Sequence, residues 1–223
     1  MDDMLQTEKG RKMVFQMFNN KIKQVLREKE MDELTRGKYF DKREIMVKEV
    51  GLCVIRGFKF TLCNLKGGIF LNIDVCSRVF RESNLLEELA AQKSKNFAES
   101  LVGATVITNY GKRRTYRIGR ICYDMSPMSS FYHDKREGKV TFSEYYSESY
   151  GLRVTQRNQP LVEVVIREEK SMKEGNIIKK DIIGYLIPEF ISLTGMSDEQ
   201  RQNYSTMKAI APYTKLKPEE RMT

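Results

Sequence analysis

Arginine and tyrosine residues lie close together in two short segments of the chain. Arg114 and Tyr116 are two residues apart in a predicted strand, so their side chains project from the same face. Tyr146 and Tyr150 are four residues apart in a predicted helix, which makes them neighbours on its surface. Guanidinium and phenol O–H groups donate hydrogen bonds to phosphate, and aromatic rings stack on bases. The two segments therefore indicate a surface that could bind nucleic acid.

Two further aromatic residues, Tyr145 and Phe131, lie near these segments and would extend the same surface. The pattern also fits a simpler interpretation, because tyrosine and phenylalanine at helical spacing are more often part of a hydrophobic core. A basic strand is likewise often only the solvent-exposed edge of a sheet. The residues alone leave both interpretations open.

The composition excludes several classes of protein. Hydrophobic residues make up 40% of the 223 residues and aromatic residues 10%, which is too apolar for a disordered polyelectrolyte. The apolar runs are too short to cross a bilayer and the N-terminus lacks a signal-peptide pattern, so we expect a soluble, intracellular protein. The net charge of +9 favours an anionic partner.

Residues suited to catalysis or metal binding do not form a recognisable motif in the sequence. The four cysteines, Cys53, Cys63, Cys76 and Cys122, lack a Cys-x-x-Cys spacing and are predicted to be buried thiols. His133, the single histidine, lies in a polar segment that predicts a solvated loop. A glycine-rich phosphate loop and a nucleophile elbow are also missing. We therefore expect no catalytic residue, no metal and no cofactor.

Hydrophobic periodicity predicts the strands that would position these side chains. The predicted strands cover residues 50–56, 58–63, 69–75, 101–108, 113–123, 152–155, 161–167 and 182–186. A charged loop is predicted between the last two, over residues 168–180.

Capping residues and apolar spacing predict the helices. The first is predicted over residues 8–29, and a short second helix over 84–92 has Ser83 as its N-cap. Thr141 and Glu144 form a capping box that starts a helix reaching about residue 149. A second capping box, at residues 197–200, predicts a helix that reaches about residue 211.

At this point the sequence resembles a known family. The PAZ domain of Argonaute proteins is similar in the segments VGATVIT (102–108), TYRI (115–118) and FSEYYSESY (142–150). The Piwi clade of that family is similar in YLIPE (185–189), LTGM (193–196) and YTKL (213–216). The segment that joins the N domain to PAZ is similar to RGKYFD (36–41) and GGIFLNIDV (67–75). The resemblance covers most of the chain in the family's order.

The resemblance implies an α+β fold. It consists of a small OB/SH3-like β-barrel with an inserted β-hairpin and α-helix module, plus a flanking helix and a β-hairpin linker region. The resemblance also implies a fragment of an Argonaute protein with four regions. These are the end of the N domain (1–45), the first linker (46–82), the PAZ domain (83–194) and the helical start of the second linker (195–223).

In the family, the 3′ end of a guide RNA binds between the barrel and the inserted module. By position, the residues that match those holding the terminal phosphodiester are Arg114, Tyr116, Tyr145 and Tyr150. Phe131 matches the aromatic residue that packs on the last nucleotide, and Tyr146 is the second tyrosine of the Piwi pair. Tyr185 and Leu186 match residues on the pocket floor, where Piwi proteins accept a 2′-O-methyl group.

The sequence departs from the family's pattern at two positions. Thr108 stands where many Argonautes carry a histidine that contacts phosphate, and Ser149 stands where many carry a lysine. Both differences remove a cationic group, so we expect Arg114 to matter more and binding to depend less on salt. The PIWI domain that slices RNA is absent from the sequence, so we expect no cleavage by this chain.

These observations predict a monomeric, non-enzymatic module that binds the 3′ end of a single-stranded small RNA, piRNA-like and 2′-O-methylated. Its other expected partners are the MID and PIWI domains of a parent Argonaute in RNA-mediated silencing, and no membrane. We expect it in the cytoplasm, with the nucleus left open. One alternative is a protein-interaction or scaffold module with an incidental basic surface. Another is a Dicer-type PAZ domain that binds duplex RNA ends.

Overall fold

The computed structural model describes residues 7–35, 37–65, 68–92, 95–133, 137–171 and 177–215. The chain divides into two compact units. Phe80–Gly195 forms the second unit, and the first combines the described parts of Met1–Val79 and Met196–Thr223. Among the helices of the described residues, none is long and apolar enough to cross a membrane. The predicted boundaries of the four regions stay predictions.

The first unit begins with one long helix and a four-stranded sheet. Helix α1 (Glu8–Glu28) starts after Thr7, whose hydroxyl accepts a hydrogen bond from the Gly10 N–H at 3.1 Å. Its bounds agree with the predicted helix to within one residue. The strands lie in chain order across the sheet: β1 (Asp32–Thr35), β2 (Lys38–Val47), β3 (Leu52–Leu65) and β4 (Gly68–Arg81).

Strand β3 continues through Gly57, where the sequence predicted a break between two strands. Gly57 pairs with Phe40 of β2. A Cβ at Gly57 would overlap the carbonyl oxygen of Tyr39, so the backbones approach too closely for a side chain. The glycine therefore marks a close contact within one strand rather than the end of a strand.

The second unit contains two short helices and a five-stranded antiparallel sheet. The helices are α2 (Leu85–Ala91) and α3 (Lys95–Ser100). The strands are β5 (Thr105–Thr108), β6 (Thr115–Cys122), β9 (Leu161–Ser171), β10 (Ile177–Leu186) and β11 (Ile191–Leu193), in the order β10-β9-β6-β5-β11. Leu85 of α2 is fully buried in a core with Val106, Val162 and Ile191. This mixture of helices and antiparallel strands confirms the predicted α+β class.

A hairpin and a helix lie between β6 and β9 in the chain. Strand β7 (Ser130–His133) pairs with β8 (Gly138–Thr141), and α4 (Phe142–Tyr150) follows directly. This is the inserted module that the resemblance implied. The prediction of a solvated loop at His133 is wrong, because His133 pairs with Gly138 in this hairpin and its side chain is half-buried.

Two predictions around the main sheet are also wrong. Residues 168–171 and 177–180 continue β9 and β10 rather than forming a loop, and residues 172–176 of the predicted loop lie outside the described residues. The two strands are antiparallel, and in their register Glu169 is paired with Lys179 and Glu168 with Lys180. The predicted strand at 152–155 is instead irregular.

The N-terminal part of the second unit differs from the prediction in three details. Asn84, not Ser83, is the N-cap of α2, because its side chain accepts the Glu87 N–H at 2.9 Å and Glu87 completes a capping box. Helix α3 was not predicted, since its six residues are too few for a periodic pattern. Strand β5 starts four residues later than predicted, after a turn in which Gly103 has a φ of 84°.

Two helices of the first unit end the described part of the chain. The Ser197–Gln200 capping box is confirmed, but the helix it starts, α5 (Asp198–Gln202), is short. Asn203 then accepts the Ser205 N–H at 2.9 Å and caps α6 (Tyr204–Thr214). The single predicted helix is therefore two, because Asn203 competes for the backbone N–H groups that follow it.

One carboxylate anchors the irregular segment 151–160. Glu189, in a 3-10 turn before β11, accepts hydrogen bonds from the Thr155 N–H at 3.1 Å and from Gln159 Nε2 at 2.9 Å. Gln159 is buried, and its Oε1 accepts the Glu189 N–H at 3.0 Å. Burial raises the pKa of Glu189, but the hydrogen bonds from Thr155 and Gln159 outweigh it and hold the pKa below its ordinary value.

Glu189→Gln should lower stability at neutral pH by about 1 kcal/mol, since a charged acceptor of several hydrogen bonds becomes neutral. The lowered pKa in the folded state means that the stabilisation is present above about 4.5, the ordinary value, and is lost as the pH falls through the folded pKa. Thermal melts at about pH 7 and about pH 3 should therefore show a smaller acid effect in Glu189→Gln than in the parent. Glu99→Gln, at an exposed residue, is the control. If acid lowered the melting temperature of Glu189→Gln as much as that of the parent, this role of Glu189 would be contradicted.

Candidate nucleic-acid-binding site

The helix that carries three of the predicted site tyrosines is fixed at both ends. Thr141 Oγ1 accepts the Glu144 N–H at 3.2 Å, and Glu144 Oε2 accepts the Thr141 N–H at 2.9 Å. Gly151 ends the helix with a φ of 68°, a conformation that glycine adopts without strain. The predicted capping box and helix end are thus confirmed, and they set the register of α4.

A cavity of about 420 Å³ lies between α4, the β7–β8 hairpin and the end of β10. Seven of the eight predicted site residues line it: Tyr116, Phe131, Tyr145, Tyr146, Tyr150, Tyr185 and Leu186. The fold therefore brings together residues that are up to 70 positions apart in the sequence. The eighth residue, Arg114, is exposed and lies outside the cavity lining.

Phe131 forms part of the cavity wall in a cluster of aromatic rings. Its ring centroid lies 4.7 Å from that of Phe142 and 5.7 Å from that of Tyr145. Phe142 is buried and packs edge-on to Tyr185, with centroids 5.9 Å apart. The half-buried Phe131 ring is therefore held in place while one side still lines the cavity.

Tyr146 is buried beneath the cavity and supports its shape. Its side chain is 2% exposed, and its hydroxyl shares a hydrogen bond of 2.9 Å with the Tyr110 hydroxyl. Its ring stacks on Phe190 with centroids 5.6 Å apart. Burial raises the pKa of Tyr146 to about 12 and that of Tyr110 well above its ordinary value. Little of Tyr146 is left for a ligand to contact.

Tyr145 and Tyr150 are the more accessible pair of tyrosines on α4. Tyr150 is 43% exposed, and Tyr145 is half-buried. Burial and a hydrogen bond with the Tyr145 side chain raise the pKa of Tyr150 to about 12. The Tyr150 hydroxyl is therefore protonated at neutral pH and can donate a hydrogen bond to an anionic oxygen.

Arg114 lies at the end of the turn that joins β5 to β6, near the edge of the cavity. Its backbone N–H donates to Thr108 Oγ1 at 3.0 Å, and its carbonyl accepts the Thr108 N–H at 3.0 Å. The positive charge of Arg114 favours the ionised form of Tyr150. It therefore lowers the pKa of Tyr150, but this effect is smaller than that of burial. Arg114 is thus a cation close enough to Tyr150, which lines the cavity, to act on it electrostatically.

Thr108 has a structural role in this turn. The side chain is 3% exposed, and its hydroxyl also donates to the Tyr110 carbonyl at 3.2 Å. Since the hydroxyl is used within the turn, Thr108 positions Arg114 and Tyr110 and does not itself face a ligand. Ser149, at the second position of departure, is exposed on α4.

Two other basic residues near Arg114 differ in their surroundings. Arg120, in β6, forms an ion pair with Glu163 at 2.8 Å. Lys112 is exposed in the β5–β6 turn. Arg114 and Lys112 are therefore exposed cations of this turn, and Glu163 offsets part of the charge of Arg120.

Aliphatic residues of the main sheet complete the cavity floor. Leu186 is buried and Tyr185 half-buried, as expected for floor residues. Ile166 and Ile183 also line the cavity, although sequence reasoning did not select them. Ile187, the next residue in the chain after Leu186, is 0% exposed and lies in a core with Phe142 and Tyr146.

Sequence reasoning also missed two polar aromatic residues at the site. Tyr110 lies in none of the segments selected from the sequence, and its partner Tyr146 is 36 positions away, too far for local periodicity to indicate. His133 lines the cavity two residues after Phe131, in a four-residue strand that is too short for a periodic pattern.

The described residues contain no cluster of metal ligands. Among them, no group of three or more His, Cys, Asp or Glu residues could hold a metal ion. All four cysteines are free thiols, with Cys53 and Cys122 buried and Cys63 and Cys76 half-buried rather than buried as predicted. The described lining of the cavity consists of tyrosine, phenylalanine, histidine, isoleucine, leucine and glycine residues.

Comparison with known proteins decides the family. The sequence model of the PAZ domain matches residues 73–217. The chain belongs to the PAZ-domain family. PAZ domains are nucleic-acid-binding modules, which agrees with the aromatic and cationic residues of the cavity.

The curated relatives place this PAZ domain in the Piwi clade. The chain is 33% identical over 192 residues to the Piwi-like protein Siwi of Bombyx mori, which covers 82% of this chain and 20% of that protein. It is 29% identical over 214 residues to the Piwi-like protein Ago3 of Bombyx mori, covering 92% of this chain and 23% of that protein. The prediction of a Piwi-clade PAZ domain is confirmed, and the chain spans about a fifth to a quarter of these relatives.

A solved structure shows the same fold. The crystal structure of Drosophila Piwi matches with a TM-score of 0.59 and 22% identity, over 97% of this chain and 25% of that chain. The likeness therefore extends beyond the PAZ domain to most of the chain, at the level of the fold.

Tyr146→Phe should lower the free energy of unfolding by about 1–2 kcal/mol, because it leaves the Tyr110 hydroxyl buried without its partner. Chemical denaturation would measure the change. Tyr132→Phe, at an exposed residue of β7, is the matched control and should change stability little. A Tyr146→Phe variant as stable as the control would show that the buried pair does not hold the cavity together.

Proposed function

We propose that the chain binds the 3′ end of a single-stranded small guide RNA, piRNA-like, in the aromatic cavity. The observation that carries this proposal is the composition of the cavity mouth. Tyr145 and Tyr150 present hydroxyl groups there, with Arg114 nearby and the Phe131 ring on the wall. A phosphodiester accepts hydrogen bonds from the first three, and a base or sugar packs on the fourth.

Contacts of this type read features that every nucleotide shares. Hydroxyl and guanidinium groups contact the sugar–phosphate backbone, and an aromatic ring stacks on any base. We therefore expect little sequence preference. The net charge of +9 supports the approach of RNA in general, while a cavity of a size to admit a terminal nucleotide supports recognition of its end.

The proposal extends to the setting in which the chain works. We infer that it acts as a monomeric module of a Piwi-type Argonaute, together with MID and PIWI domains, in RNA-mediated silencing in the cytoplasm or nucleus. The Piwi-like relatives support this inference. RNA cleavage would then belong to the PIWI domain, and this chain would bind RNA without cleaving it.

A single-stranded RNA with a free 3′ end should bind more tightly than the same RNA with a 3′-phosphate. The phosphate adds bulk and charge to the one end that enters the cavity. A titration of both RNAs, followed by fluorescence anisotropy, would measure the difference, and a blunt duplex of the same sequence would test preference for the single strand. Equal affinities for free and phosphorylated ends would rule out end recognition.

Arg114→Ala should weaken binding by about 1 kcal/mol or more and reduce the salt dependence by about one phosphate contact. Tyr150→Phe keeps the ring and removes the hydroxyl, so it should cost about 0.5–1.5 kcal/mol. Arg157→Ala removes an equal charge from the 151–160 segment, outside the cavity lining, and serves as the control. If Arg114→Ala and Arg157→Ala bind RNA equally well, Arg114 does not contact the phosphate.

A 2′-O-methyl group on the terminal ribose should leave binding unchanged or improve it by up to about fourfold. The methyl group would meet the aliphatic floor of Leu186, Ile166 and Ile183, and burying one methyl contributes roughly 0.8 kcal/mol. Calorimetry on two RNAs that differ only in this methyl would measure the effect. A several-fold preference for the unmodified RNA would contradict the Piwi-type assignment of the floor.

A further inference from the structure

His133 brings an imidazole to a cavity otherwise lined by phenol, phenyl and aliphatic groups among the described residues. It lies at the end of β7, on the same half-buried face as Phe131. Its ring centroid is 6.1 Å from that of Phe131 and 5.7 Å from that of Tyr145. It therefore lies between the ring assigned to the last nucleotide and a hydroxyl assigned to the phosphodiester.

Among the described residues, nothing forms a hydrogen bond with one nitrogen of this imidazole. The Nδ1 atom of His133 is shielded from solvent and has no partner among the described residues. A buried polar atom in this state is unfavourable, because it has lost its hydrogen bond with water without a replacement. Since the side chain lines a cavity, a group that enters the cavity can supply the missing bond.

We propose that His133 recognises the 3′-terminal nucleotide through a hydrogen bond between its imidazole and a ribose hydroxyl. This inference rests on the proposed function and adds a residue to it. An imidazole nitrogen without a proton accepts the hydroxyl proton, and a protonated nitrogen donates to the hydroxyl oxygen. The short distance to Phe131 supports the terminal ribose as the partner, because that ring is expected to pack on the same nucleotide.

Two substitutions separate the hydrogen bond from the shape of the ring. His133→Phe keeps an aromatic ring and removes both nitrogens, so the affinity for a short single-stranded RNA with a free 3′ end should fall by about three- to tenfold. His133→Asn places an amide group at the position of Nδ1 along the side chain, so the RNA affinity of this variant should stay within about twofold of that of the parent. Tyr132→Phe, on the exposed face of the same strand, should bind like the parent.

RNA variants then test whether the partner is the terminal ribose. RNAs whose last nucleotide is 2′-deoxy or 3′-deoxy are titrated against the parent and against His133→Phe. If His133 contacts one of these hydroxyls, removing that hydroxyl should lower the RNA affinity of the parent. The same removal should lower the RNA affinity of His133→Phe much less. If removal of either hydroxyl lowers the affinity of the parent and of His133→Phe by the same factor, the assignment is overturned.

Further measurements distinguish a failure of this inference from misfolding of a variant and from a failure of the proposed function. Thermal melts identify a variant that fails to fold, and His133→Ala provides a second removal of the imidazole. If the parent distinguishes free from 3′-phosphorylated ends but the variants without an imidazole bind as the parent does, the inference about His133 is wrong. Equal weakening in His133→Phe and His133→Asn would also overturn it. If the parent does not distinguish the two ends, it is the proposed function that fails.

Discussion

The hydroxyl groups of the half-buried Tyr110 and the buried Tyr146 share a hydrogen bond of 2.9 Å that joins the β5–β6 turn to helix α4. The rest of the cavity depends on this contact, because its two sides come from segments far apart in the sequence. Tyr146 stacks on Phe190 below, and Tyr110 lies 4.6 Å from Tyr150, measured between ring centroids. The Tyr110–Tyr146 pair thus fixes how far Tyr145 and Tyr150 of α4 lie from the cavity floor.

The same turn gives Thr108 a structural role at a position where the family resemblance implies a histidine. Thr108 uses its hydroxyl for two hydrogen bonds within the turn, to the Arg114 N–H and to the Tyr110 carbonyl. Its contribution is therefore to hold Arg114 beside the cavity and Tyr110 under it. A buried network of this type rigidifies the turn, and under the proposed function Arg114 supplies the charge that binds phosphate.

Local signals in the sequence were enough for the helix of the site but not for the arrangement of the cavity. The Thr141–Glu144 capping box and Gly151 correctly predicted α4, because a helix end is determined by residues next to each other in the chain. The same periodicity could not show that Tyr146 is buried while Tyr150 is exposed, because that depends on Tyr110 and Phe190. Hairpin β7–β8 was missed for a related reason: its four-residue strands are too short for a pattern, and only the family resemblance implied it.

Photo-crosslinking of a labelled RNA tests the central claim, that the aromatic cavity holds the 3′ end, most directly. The RNA carries 4-thiouridine at its last position or, in a second RNA, several nucleotides from the end, and mass spectrometry identifies the crosslinked peptide. The account predicts that the terminal label crosslinks to peptides containing Phe131, Tyr145 or Tyr185, and that the internal label does not. Crosslinks from the terminal label to the first unit, or equal yields from both labels at the cavity, would contradict it.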